Sequence, residues 1–346
     1  MPIPFIVAAG AGLFAGAVGA AGHSMAKETN QKAEWVVEDA KKLYETEKSK
    51  LEDAEAKMNS AVMDLGNTKK DILCGSFMDF YDSYSKVKVN FQLKKTTGID
   101  EVLTIDEPDM VRLHGMSDLL SSQLSGAAAG AATGVVIGLA MSGTLSLVAG
   151  STALAVSSVG LVGTGLAGTA LGLAGSGLAL GVSMTPASVI LGPAVFVSGI
   201  SSSMKADENL EKAREYSAEV DVAVEKMKTS RTLCNAVAKR SEMMDDLLND
   251  LDKQFSRCAY KMNKIVQNKI AATGKEYLSE DDLTDEEIDL IVVTRALAGA
   301  VKSVLDVPIV NKNNTDVTRK SKEIHTTVTK ALPGLTEDAQ NAFYAV

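Results

Sequence analysis

The side chains able to do chemistry are few and badly placed for it. Cys74, Cys234 and Cys258 lack CxxC or Cys/His metal spacing, and their odd number closes no disulfide framework, which points to a reducing compartment. His23, His114 and His325 are scattered in different contexts, and none has a partner arrangement suited to catalysis. The acidic runs Glu280-Asp281-Asp282 and Asp285-Glu286-Glu287 lack the alternating ligands and central glycine of a calcium loop. They read as helix N-termini, where negative charge complements the helix dipole. Gly163-Thr164-Gly165-Leu166-Ala167-Gly168 fits a dinucleotide fingerprint by letter only, since no strand-to-helix context or later acidic residue accompanies it. With no nucleophile, metal set or acid/base pair, neither catalysis nor a cofactor is expected.

The spacing that does stand out belongs to glycine. Gly126, Gly130, Gly134 and Gly138 recur at every fourth position, and Gly160, Thr164, Gly168, Gly172 and Ser176 form a second row, with Gly177 and Gly181 a further pair. On a helix such rows make a groove without side chains, in which another helix packs closely enough for dispersion and weak CH···O contacts. They lie in a stretch of 86 residues, 119 to 204, without one Asp, Glu, Lys, Arg or His. A bilayer-spanning helix needs about 20 apolar residues, so this block has room for up to four. Tight packing in a soluble helical core is the competing reading of the same glycines. The net charge of −9 disfavours a nucleic-acid coat and adhesion to anionic lipid by charge alone. Affinity for a membrane would have to come from apolar burial.

Elements flanking the block would position it. From 24 to 92, Leu51, Ala54, Met58, Ala61, Leu65, Thr68 and Ile72 step by alternating threes and fours, one seam of a long helix, which Trp35, Val36, Ala40 and Leu43 extend upstream. Gly66 and Gly75 are its weak points. From 205 to 268 the pattern returns in Cys234, Val237, Met244, Leu248, Leu251, Phe255, Cys258, Met262 and Ile265. Matching lengths on either side of one insertion predict an antiparallel pair with the apolar block at its tip. The intervening connector is broken by Gly98 and Pro108, and 102–105 is a candidate short strand. Downstream, Thr284 to Glu287 has the form of a capping box and opens a helix ending before Pro308; another should end before Pro333, with a short last one from Thr336.

The expected architecture is all-α: an apolar N-terminal helix (1–23), a long amphipathic helix and connector (24–118), the glycine-rich block (119–204), a returning helix (205–268) and a C-terminal helical region (269–346). Residues 2 to 22 are uncharged, with the first lysine, Lys27, behind them rather than ahead, so a retained helix is favoured over a secretory signal. Within the block, helices at 126–148 and 152–182 would form a hairpin turning near Gly150, while the last apolar piece, Ser188 to Ile200, is preceded by Pro186 and interrupted by Pro193.

The text SLVAGSTALAVSSVGLVGTGLAGTALGLAGSGLALG, residues 146 to 181, followed by a charged helix from Lys205, resembles the apolipoprotein L family and its bacterial relatives. The resemblance is compositional and covers about residues 120 to 230. The layout is also similar to α-helical pore-forming toxins, in which long helices carry an apolar hairpin. Either resemblance implies membrane insertion with permeabilisation or ion conductance. The expectation is a membrane-associated homo-oligomer that exchanges with a soluble cytoplasmic form and keeps its long helices on one side. Its partner is the lipid bilayer, with no nucleic acid. The alternative is a permanently anchored coiled-coil scaffold that binds a helical protein partner.

Overall fold

The computed structural model describes residues 20–88, 103–126, 136, 138–141, 206–311 and 316–346. These are all-α apart from a two-residue parallel strand pair and one isolated bridge, Val310 with Val317. The chain runs α1 (Ala20–Cys74), α2 (Ser76–Tyr84), β1 (Val87–Lys88), α3 (Glu107–Gly126), α4 (Ala206–Thr273), β2 (Leu278–Ser279), a 3-10 turn (Glu280–Asp282), α5 (Asp285–Leu305) and α6 (Arg319–Ala345). Two compact units divide it, with boundaries inside α1 between 57 and 58 and inside α4 between 235 and 236.

In the first unit the N-terminal parts of α1 and α4 pack on a thin core of Ala40, Tyr216, Val220 and Val224, flanked by Val37 and Tyr44. The α1 stripe reads Ala33, Val37, Ala40, Tyr44, Glu47, Leu51, a continuous alternation of fours and threes. Trp35 and Leu43, expected on this seam, are 67% and 38% exposed. The stripe was hidden in the sequence because one of its positions holds a glutamate. Glu47 is buried, accepts from Lys50 at 2.6 Å and pairs with Arg231 at 3.1 Å. The Lys50 hydrogen bond holds its carboxyl below the usual range, with the Lys50 and Arg231 charges acting in the same sense.

The direction of pairing corrects the antiparallel expectation. Asn209 donates to Asn30 at 3.1 Å, Ala40 packs with Val220, and Glu47 meets Arg231, so partners advance together along both helices. The second unit repeats this order. Ser76 donates to Asp252 at 2.5 Å and the Phe80 ring lies 5.8 Å from Phe255, while Val87 pairs in parallel with Leu278. Within each unit the two helices are therefore parallel. A seam encodes which face is buried and not which way the partner runs, and 131 intervening residues, 75 to 205, are ample for the chain to return.

The second unit carries the larger core. Leu65, Leu73, Phe77, Phe80, Leu248, Leu251, Phe255 and Met262 are buried to 0%, joined by Leu290, Leu297 and Val301 of α5. Gly75 does break the long helix, but α2 ends at Tyr84 and not near 92. Pro108 opens α3 instead of breaking it, because the first turn has no use for the missing N–H, and Asp106 caps that end by accepting from Asp109 N. Leu103 to Ile105 form no strand. Their backbone runs across α5 at Gly299, where any side chain would overlap the Leu103 carbonyl, and Arg295 donates to Ile105 O at 3.1 Å. Both halves of the Thr284–Glu287 capping box are present. The two helices expected around Pro333 are one, α6, since Ile324, Val328, Leu335, Ala339 and Ala342 keep a single buried face past the proline.

Candidate functional site

The nine seam residues expected to bury, Leu51, Met58, Leu65, Ile72, Met244, Leu248, Leu251, Phe255 and Met262, are all 4% exposed or less. Of the glycine rows, Gly130, Gly134, Gly160, Gly168, Gly172, Gly177 and Gly181 lie outside the described residues, as do residues 1–19. Gly126 ends α3, and Gly138 lies half-buried in the short helical stretch 138–141. Among the described residues no helix is long and apolar enough to cross a membrane.

That short stretch, like the start of the block in α3 where Leu120 is buried, packs against the folded body. Val136, Leu139, Ala140 and Met141 are each 4% exposed or less. The Val136 carbonyl lies against Gly66 of α1, at a point where a methyl group would overlap it, which explains a glycine kept inside a long helix. Met141 O accepts a hydrogen bond from Ile309 N at 2.9 Å.

Beneath this contact lies Lys69, fully buried on the α1 stripe between Leu65 and Ile72. Its Nζ donates to Leu139 O at 3.3 Å, Ala140 O at 3.4 Å and Leu305 O at 3.2 Å. A helix leaves its last carbonyls without partners, and a cation there also complements the dipole. One ammonium thus serves the last turn of α5 and the 138–141 stretch together. Burial pulls the Lys69 ammonium down to about 7, and the nearby Asp306 carboxylate partly restores it.

Asp306 also anchors an ion network. Arg112 of α3 grips it with two bonds, 3.0 and 2.8 Å, and reaches Asp109 at 3.0 Å. Lys302 pairs with Asp109 at 2.6 Å. Burial raises the Asp306 carboxyl despite the Arg112 contact, whereas Lys302 and Arg112 overcome burial at Asp109 and lower it. Sequence reading missed this cluster. Arg112 follows Asp109 by three residues and Asp306 follows Lys302 by four, but the pairs that join α3 to α5 leave no mark in either segment. The seam read from the sequence passed through Thr68, whereas the structure leaves Thr68 half-buried and buries Lys69 in its place.

Burial pushes the Cys234 and Cys258 thiols up to about 11, which leaves them as protonated core residues. Among the described residues no three His, Cys, Asp or Glu side chains gather as metal ligands. Compared with known proteins, the chain matches no family model, no curated protein and no solved structure.

Proposed function

We propose that this protein inserts its 126–182 segment into a lipid bilayer and self-associates through the glycine rows, perturbing or perforating the membrane. The observation that carries this reading is the 86-residue stretch without an ionisable side chain, in which glycine recurs at helical packing distance. Burial of Val136 and Leu139 to Met141 fits it, because a chain that exchanges between soluble and inserted forms must cover its apolar segment with protein beforehand. The soft composition of the block, Gly, Ala, Ser and Thr among Leu and Val, suits reversible exposure better than a Leu-rich anchor would.

The test uses the full chain and dye-loaded vesicles. Insertion with assembly predicts leakage, together with crosslinked oligomers in the vesicle fraction. A chain lacking 143–200 keeps Lys69 and its carbonyl partners and should neither bind nor leak. Vesicle binding without leakage by the full chain would favour the anchored scaffold. No binding at all would refute the membrane reading.

A further inference from the structure

We propose that Lys69 and Gly66 form an autoinhibitory latch, holding Val136 and residues 138–141 against the folded body and so restraining the apolar block that follows. This deepens the membrane reading and rests on it. Four features converge on one short stretch. The Lys69 ammonium bridges Leu139 O and Ala140 O to Leu305 O, the end of α5. Gly66 admits the Val136 backbone to a distance closed to any other residue. Ile309 N ties Met141 O to the chain beyond α5. Leu139, Ala140 and Met141 are at most 2% exposed.

The chemistry of the latch is unusual for a core. A lysine on an apolar stripe loses its hydration, and burying an ammonium among hydrocarbon side chains is unfavourable unless acceptors surround it. Three carbonyls satisfy it, one for each of its donors. Two of the three belong to the stretch that must leave if the block is to enter lipid. Departure of 138–141 strips Lys69 of two acceptors at once and exposes the Gly66 groove, so release is all-or-none rather than gradual. Arg112, Asp109, Lys302 and Asp306 hold α3 and α5 together independently, so the body can stay folded when the latch opens.

The test begins with the unaltered protein. Native-state hydrogen exchange in rising, sub-denaturing urea should show the amides of Leu139, Ala140, Met141 and Ile309 opening together, well before those of Leu297 to Val301 in the centre of α5. Exchange of both sets only with global unfolding would overturn the proposal, whether or not any variant folds. Lys69→Met should then speed exchange of the first set at least tenfold, leave the second within about twofold, and hasten vesicle leakage. Gly66→Ala, which pushes on the Val136 carbonyl, should act in the same direction. A folded Lys69→Met protein with unchanged exchange at Ile309 would overturn the latch. Local opening with leakage no faster than the parent's would overturn its inhibitory role. Local opening with no leakage from either protein would support the latch and refute the membrane reading.

Discussion

Replacing Lys69 by methionine should change how stability depends on pH, and the size of that change follows from burial. The unfolded chain carries an ordinary lysine, protonated up to about pH 10.5, whereas the folded chain releases this proton near 7. Between those values the unfolded state binds more protons, so stability rises with pH; below 7 both states are protonated and the penalty of burial is present in full. Each pH unit within the window contributes about 1.4 kcal/mol once the folded group is neutral. From pH 7 to 8.5 the gain is about 1.6 kcal/mol, because the group is half titrated at the start. Of the charged groups around Lys69, burial raises the Asp306 carboxyl against the pull of Arg112, while hydrogen bonds from Lys302 and Arg112 lower that of Asp109. The window closes at 8.5 because Cys234 and Cys258, raised from 9.0 to about 11, work in the opposite sense above it. Urea unfolding followed by circular dichroism at pH 7.0 and 8.5 measures the effect as the difference between parent and Lys69→Met. A parent that stabilises no more than the variant over this interval would refute the reasoning and place the Lys69 proton on the folded protein throughout.

Other expectations test the packing and the block. The double variant Asn30→Cys with Asn209→Cys should crosslink efficiently, while Asn30→Cys with Arg231→Cys should not; the reverse would refute parallel helices in the first unit. Gly299→Ala must displace the Leu103 backbone and should cost about 2 kcal/mol or more in urea unfolding, whereas Gly115→Ala meets nothing within 4 Å in mid-helix and should stabilise by roughly 0.5 to 1 kcal/mol. Equal effects at both glycines would deny the close approach. Leucine at both Gly130 and Gly134 raises hydrophobicity but fills the first groove, so vesicle binding should persist while leakage and crosslinked oligomers disappear. Leakage and oligomers at parental levels would remove that row from assembly.

What the sequence made legible follows from how local each signal is. The 3-4 spacing that identifies α1 and α4 is a property of one helix, so Leu51 to Ile72 and Met244 to Met262 could be read as buried without their partners. The Thr284 capping box is equally local, four residues long, and its two hydrogen bonds are both made. Helix direction, the Arg112–Asp306 grip and the passage of Leu103 over Gly299 depend on segments nearly 200 residues apart. Pro108 and Pro333 show why breakers mislead. One sits where no N–H was needed, and the other is overridden by a buried face that continues for another turn and more. Lys69 was passed over in favour of its neighbour Thr68, because its acceptors, Leu139 O and Leu305 O, lie far along the chain.

Glu47 bears on what happens while the protein is being made. At synthesis rates of about 5 to 20 residues per second, α1 leaves the ribosome on the order of ten seconds before Arg231 exists. During that interval its apolar stripe has no mate, and the nearest substitute on a polysome is another copy of α1. Two such copies aligned in parallel would set Glu47 against Glu47 inside the seam, each with only the Lys50 of its own helix and neither with Arg231. Sliding one copy by a heptad would instead place the carboxylate opposite Ala40 or Ala54, equally unable to neutralise it. The charge therefore favours α4 as the mate of this stripe, since Arg231 adds a second cation to Lys50.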